Sequence, residues 1–178
     1  MLTLVTGGAA CGKSEYAESL FAGVQGKIYY AATMHRSPDR ETAERIKRHQ
    51  KLREGKNFIT LEQETDIGSL SVKKEDGILV ECMSNLLTNE MYAAKRENAV
   101  SFILEGVDRL REKCNNIVLV TLETGMDGIV YDAFTNEYIA NMGRLNAELA
   151  GRADRVVEVV YSIPVWIKGC ENENLEFV

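Results

Sequence analysis

Apolar residues in this chain fall into short continuous runs, separated by longer stretches whose spacing is helical or polar. The runs are LTLVT (2–6), KIYYAAT (27–33), FITLE (58–62), GILVEC (77–82), NIVLVTLE (116–123) and RVVEVVYS (155–162). In Ile117-Val118-Leu119-Val120 every successive position is apolar, as in a strand covered on both faces. Helices are expected over about 13–23, 39–53, 97–114 and 134–151, with SNLLTNEMYAA following GILVEC without an assigned element. Strands alternating with helices predict a mostly parallel sheet in a three-layer α/β domain. The last run, PVWIKG, starts only two residues beyond VVYS. That gap is too short for a helical crossover, so an antiparallel edge hairpin is expected. No repeat, low-complexity linker or boundary interrupts the pattern, and residues 1–178 read as one domain.

Composition narrows the class without naming it. Hydrophobic residues make up 45% and charged residues 27% of 178, which excludes a disordered chain. A net charge of −6 argues against nucleic acid as a main partner. No apolar stretch approaches the roughly 20 residues that span a bilayer. A functional-looking loop begins by Gly7, so no cleavable leader is expected. Cys11, Cys82, Cys114 and Cys170 are far apart, with no C-x-x-C pair. They read as free thiols in a reducing compartment, so the expected location is the cytoplasm.

The first apolar run ends in a phosphate-loop spacing, Gly7-x4-Gly12-Lys13-Ser14. In such a loop (Gly7, Gly8, Ala9, Ala10, Cys11, Gly12) backbone N–H groups curl around phosphates, and glycines allow the close approach. Lys13 would reach the β/γ oxygens and the Ser14 hydroxyl would ligate Mg²⁺. A second oxygen ligand is expected from an acid at the end of a neighbouring strand. Glu81 and Glu123 are the candidates; Glu81 is preferred, because it follows its apolar run directly.

Residues 35–57 hold eight of the 21 Lys and Arg residues against four acids, in an otherwise acidic chain. The expected helix there has little apolar stripe, which by itself fits a solvated helix. Arg45, His49 and Arg53 nevertheless fall at i, i+4 and i+8, on one face, an arrangement suited to a polyphosphate. Neighbouring cations disfavour imidazolium, so His49 could serve as a neutral nucleophile toward an α-phosphate. It could equally be a phosphate contact. His35 follows a strand end and could line the site or lie in a loop.

These segments together resemble the bifunctional adenosylcobinamide kinase/adenosylcobinamide-phosphate guanylyltransferases of cobalamin biosynthesis. The resemblance rests on LVTGGAACGKSEYAE, YYAAT, RIKRH with Arg53 beyond it, TLE at 60–62, LVEC followed by Thr88-Asn89, GRLNAELA and DRVVEVV. It implies a RecA-like P-loop domain, a homotrimer, and two reactions on a corrinoid substrate. ATP or GTP would phosphorylate adenosylcobinamide; GMP would then pass from GTP to that phosphate by way of His49. The nucleotide would be contacted by the phosphate loop, by Thr33, Met34 and His35, by Gln50, Lys51, Leu52 and Arg53, and by Glu62 and Glu81. The chain departs from the family pattern at Leu122, Tyr131 and Ile139-Ala140, and lacks a Trp near Phe58. Two other readings stay open at this point. One is a simple small-molecule kinase; the other is a nucleotide-regulated binding module whose basic helix engages a partner.

Overall fold

In the computed structural model, residues 1–34, 57–125 and 128–169 are described. The expected helix at 39–53 and the residues His35, His49, Gln50, Lys51, Leu52 and Arg53 lie outside them, as does the acidic tail.

The central strand is β1 (Leu2–Thr6), and its five residues are all buried. It pairs in parallel with β5 (Asn116–Val120) on one side and β6 (Arg155–Val160) on the other. Beyond β5 lie β4 (Gly77–Glu81), β2 (Ile28–Ala32) and the edge strand β3 (Phe58–Glu62), all parallel. At the opposite edge β7 (Ile163–Lys168) runs antiparallel to β6, giving the order β3-β2-β4-β5-β1-β6-β7. The hairpin turns on Tyr161 and Ser162, with φ of 50° and 64°. Positive φ at both central residues is the two-residue turn whose twist matches the strands it joins. The expected parallel sheet and terminal hairpin are both present.

Period-two alternation along the strands divides the core between two faces. Leu2, Leu4, Ile78, Val80, Ile117 and Leu119 pack on one face. They meet α3 (Ala99–Lys113) and α4 (Ala133–Arg152) there, together with the short α2 (Met83–Thr88). Helix α3 contributes Val100, Ile103, Leu104, Val107 and Leu110, an apolar stripe at i, i+3, i+4, i+7 and i+10. Each such side chain, fully buried, contributes roughly 1.5–3 kcal/mol of transfer free energy. The other face carries Val5, Leu79, Val118, Val120 and Tyr30 against Ala17 and Phe21. Ala17 belongs to α1 (Lys13–Ser19).

Several boundaries differ from expectation. Helix α1 stops at Ser19 rather than near Gly23. Bonds of the i→i+3 type from Phe21, Ala22 and Val24 replace the helical ladder, and Gly23 has a left-handed φ of 91°. Strand β5 ends at Val120, three residues short of Glu123. There Asn146 of α4 takes over: it accepts from the Thr121 hydroxyl at 2.6 Å and donates to the Leu122 carbonyl at 3.0 Å. The unassigned stretch after β4 is α2 followed by a π turn at Asn89–Ala93. Among the described residues, no helix is long and apolar enough to cross a membrane.

Candidate nucleotide site

All five parallel strands from β3 to β1 present their carboxyl ends at one edge of the sheet, where ligands of open α/β sheets bind. The register fixes what stands there. Glu62 opposes Ala32, Ala32 opposes Glu81, Glu81 opposes Val120, and Val120 opposes Val5. Glu62 and Glu81 are therefore level with each other, two strands and roughly 10 Å apart. The loop that follows β1 begins at Gly7, two residues beyond this row.

That loop depends on two glycines for its shape. Gly7 has φ 142°, and a Cβ there would lie 2.5 Å from the Val159 carbonyl oxygen. Gly12 has φ 97°, and its Cβ would lie 2.6 Å from Ser162 Oγ. Alanine at either position would therefore meet both strain and a neighbour. The Ser162 N–H donates to the Cys11 carbonyl at 2.8 Å, so the turn of the β6–β7 hairpin braces the loop. Gly8, Ala9 and Ala10 face solvent, and Cys11, Gly12, Lys13 and Ser14 are half-buried. The Lys13 ammonium lies over the loop, donating to the Gly7 carbonyl at 2.8 Å and to the Gly8 carbonyl. Cys11 Sγ is 3.8 Å from it.

Ser14 and Glu81 are brought together although 67 residues separate them. The Ser14 hydroxyl donates to Glu81 Oε1 at 2.5 Å. The Tyr30 hydroxyl donates to Oε2 of the same carboxylate at 2.9 Å. Glu123, the other acid considered, is exposed and lies past the end of β5. A hydroxyl and a carboxylate converging beside a phosphate loop form a hard oxygen donor set, which suits Mg²⁺. Among the described residues there is no cluster of three His, Cys, Asp or Glu side chains able to hold a metal. In phosphate-loop proteins generally such a cluster is not required, because a bound nucleotide supplies further oxygens to the metal.

Thr33 is fully buried just beyond β2, and Met34 is half-buried. The Thr33 hydroxyl accepts from the Cys82 N–H at 2.7 Å and donates to the Cys82 carbonyl at 2.9 Å. It thereby fixes the residue after Glu81. The Thr33 carbonyl accepts from Asn89 Nδ2 at 2.8 Å, and the same amide donates to the Glu64 carbonyl at 2.9 Å. Asn89 thus ties the chain leaving β2 to the chain leaving β3. Glu62 is exposed at the end of β3. Behind α2, burial pushes the Tyr138 phenol up, while its hydrogen bond with Thr88 opposes the shift.

Sequence reasoning assigned no role to Tyr30, Asn89 or Ser162, although YYAAT and Thr88-Asn89 are among the segments that carry the family resemblance. Their partners lie 51 residues away for Tyr30, and 56 and 25 for Asn89.

Comparison with known proteins points the same way as this geometry. Residues 3–167 match the family model described as cobinamide kinase / cobinamide phosphate guanyltransferase. The chain is 33% identical over 184 residues to the bifunctional adenosylcobalamin biosynthesis protein CobU of Salmonella typhimurium, covering 94% of this chain and all of that protein. It is 31% identical over 185 residues to CobU of Escherichia coli, with the same coverage. Identity to CobP of Pseudomonas aeruginosa is 30% over 172 residues, covering 95% of this chain and 98% of that protein.

Proposed function

The chain belongs to the cobinamide kinase / cobinamide phosphate guanyltransferase family, and on that premise we propose that it carries out both reactions. A triphosphate, ATP or GTP, first phosphorylates adenosylcobinamide; GMP from GTP is then attached to the new phosphate. The observation that supports this most strongly is the convergence of Lys13, Ser14 and Glu81 on one phosphate-loop mouth.

In this reading the backbone of Gly7 to Gly12 wraps the triphosphate. Lys13 exchanges its loop carbonyls for phosphate oxygens and neutralises charge that builds up during transfer. Mg²⁺ held by Ser14 and Glu81 would polarise the same oxygens when bound. Thr33, Met34, His35, Gln50, Lys51, Leu52, Arg53 and Glu62 complete the nucleotide contacts, by resemblance to the family.

The carrier role of His49 rests on the same resemblance. Its unprotonated ring nitrogen attacks the α-phosphorus of GTP, a P–N bond forms, and the P–O bond to the β-phosphate breaks as pyrophosphate leaves. An oxygen of the corrinoid phosphate then attacks the same phosphorus and the P–N bond breaks. This returns the histidine and yields the GDP-linked product. The protein is read as a cytoplasmic homotrimer. In support, Ile163, Val165, Trp166 and Ile167 of β7 expose apolar surface that assembly would cover. Nucleic acid has no part in it, as the net charge of −6 suggests.

The kinase half is tested by incubating the protein with γ-labelled ATP or GTP, Mg²⁺ and adenosylcobinamide, then separating corrinoid from nucleotide. Label on the corrinoid supports the reading, and label released only as inorganic phosphate would sink it.

A further inference from the structure

Among the described residues the Glu81 carboxylate is held from two sides, and one of the holders lies outside the phosphate loop. Tyr30 stands in the middle of β2, only 4% exposed. Its Cα opposes Leu79 of β4, and two residues on Ala32 opposes Glu81. Side chains alternate along a strand, so Tyr30, Leu79 and Glu81 all stand on the α1 face. With strands about 4.8 Å apart and a rise of about 3.3 Å per residue, the diagonal from Tyr30 to Glu81 is about 8 Å between backbones, within reach of an aromatic side chain. The phenol crosses it and donates to Oε2 at 2.9 Å, while Ser14 Oγ donates to Oε1.

We propose that Tyr30 is a positioning residue: its hydroxyl holds the Glu81 carboxylate with Oε1 toward Ser14, the pair that would hold the divalent cation of a bound nucleotide. This rests on the nucleotide reading above. Packing alone explains the ring, which sits among Phe21, Leu79 and Val118. It does not explain the hydroxyl, which a phenylalanine would lack and which is directed at one oxygen of the carboxylate that Ser14 also meets. A glutamate side chain samples several rotamers, and ordering it has an entropic cost. A hydroxyl that fixes the carboxylate beforehand removes that cost from the metal-binding step, as outer-shell partners of metal ligands do.

Tyr30→Phe keeps the ring and removes only the donor. The measurement is binding of a fluorescent GTP analogue to the full chain, in EDTA and across a Mg²⁺ titration, with thermal melting as the control for fold. The variant should bind the analogue in EDTA as the parent protein does. It should need about tenfold more Mg²⁺ for half-saturation. In a Glu81→Ala background the same substitution should change nothing further, because the carboxylate through which it acts is gone. An unchanged Mg²⁺ requirement overturns the proposal, and so does an equal shift in the Glu81→Ala background. A parent protein that fails to bind the analogue at any Mg²⁺ concentration overturns the nucleotide reading itself, and the proposal with it.

Discussion

Strands β1 and β5 leave the same edge of the sheet side by side, Val5 opposite Val120, yet the loops that follow them differ in kind. After β1 the chain closes on itself. Lys13 reaches back to the Gly7 carbonyl, Ser162 braces Cys11, and Ser14 meets Glu81. After β5 the chain opens outward: Glu123, Ile129, Val130 and Phe134 are exposed, Val130 at 93%. Its anchors among the described residues include Asn146 at its start, Ile139 close against Gly125, and Asp132 capping α4. A place at the carboxyl edge is thus not enough to make a phosphate site. The site arises where loop hydrogen bonds gather donor groups about one point. The departures from the family pattern at Leu122, Tyr131 and Ile139-Ala140 all fall in or against the second loop, whereas the loop after β1 keeps the spacing Gly7-x4-Gly12-Lys13-Ser14.

Substitutions can break this contrast to different degrees. The largest effect is expected from Lys13→Ala, which should lower both the kinase and the guanylyl-transfer rates by roughly 10²–10³ or more. Full retention of either rate would show that its triphosphate binds elsewhere. Next, Glu81→Gln should cut Mg²⁺-dependent turnover about tenfold to a hundredfold, while Glu123→Gln leaves it nearly unchanged. Equal losses in a Mg²⁺ titration would erase the distinction between the two loops.

Asn89→Ala removes both bonds that tie the exits of β2 and β3. It should cost about 1–3 kcal/mol in denaturant unfolding, since the buried Thr33 carbonyl and the partly buried Glu64 carbonyl lose a donor. A value near zero would mean that the tie is dispensable.

The smallest effect belongs to the second loop. Asp132 caps α4 by accepting from the Thr135 N–H at 3.0 Å, and this bond holds its carboxyl below the ordinary range. A depressed carboxylate stabilises the fold above the unfolded value, near pH 4, and that contribution fades as pH falls through the lower folded value. Asp132→Ala should therefore lower Tm slightly at neutral pH, and the gap should close in acid. A gap that widens in acid would contradict the assignment.

What was legible in the sequence follows from the range over which each feature is determined. The loop at Gly7 to Ser14 could be read because its constraints are local: left-handed φ at Gly7 and Gly12 shows as glycine at a fixed spacing. The strands could be read for the same reason, since apolar runs report burial on both faces. The end of β5 could not, because Asn146, 24 residues beyond Leu122, decides where the strand stops. Tyr30 and Ser162 were equally hidden. Their roles depend on β2 lying beside β4 and β6 beside β1, an order that no local pattern encodes. Glu81 was favoured over Glu123 from sequence, and the geometry places only Glu81 beside Ser14. The part given to His49 comes from the family pattern and lies outside the described residues.

That part is also where the account is most exposed to test. Protein incubated with α-labelled GTP and Mg²⁺ should keep its label through denaturing electrophoresis, and the bond should be labile in acid and stable in alkali, as a phosphoramidate is. His49→Ala should lose the label while retaining γ-phosphate transfer to adenosylcobinamide, a step that draws on Lys13, Ser14 and Glu81. Undiminished labelling of His49→Ala, or a label stable in acid, would contradict the account.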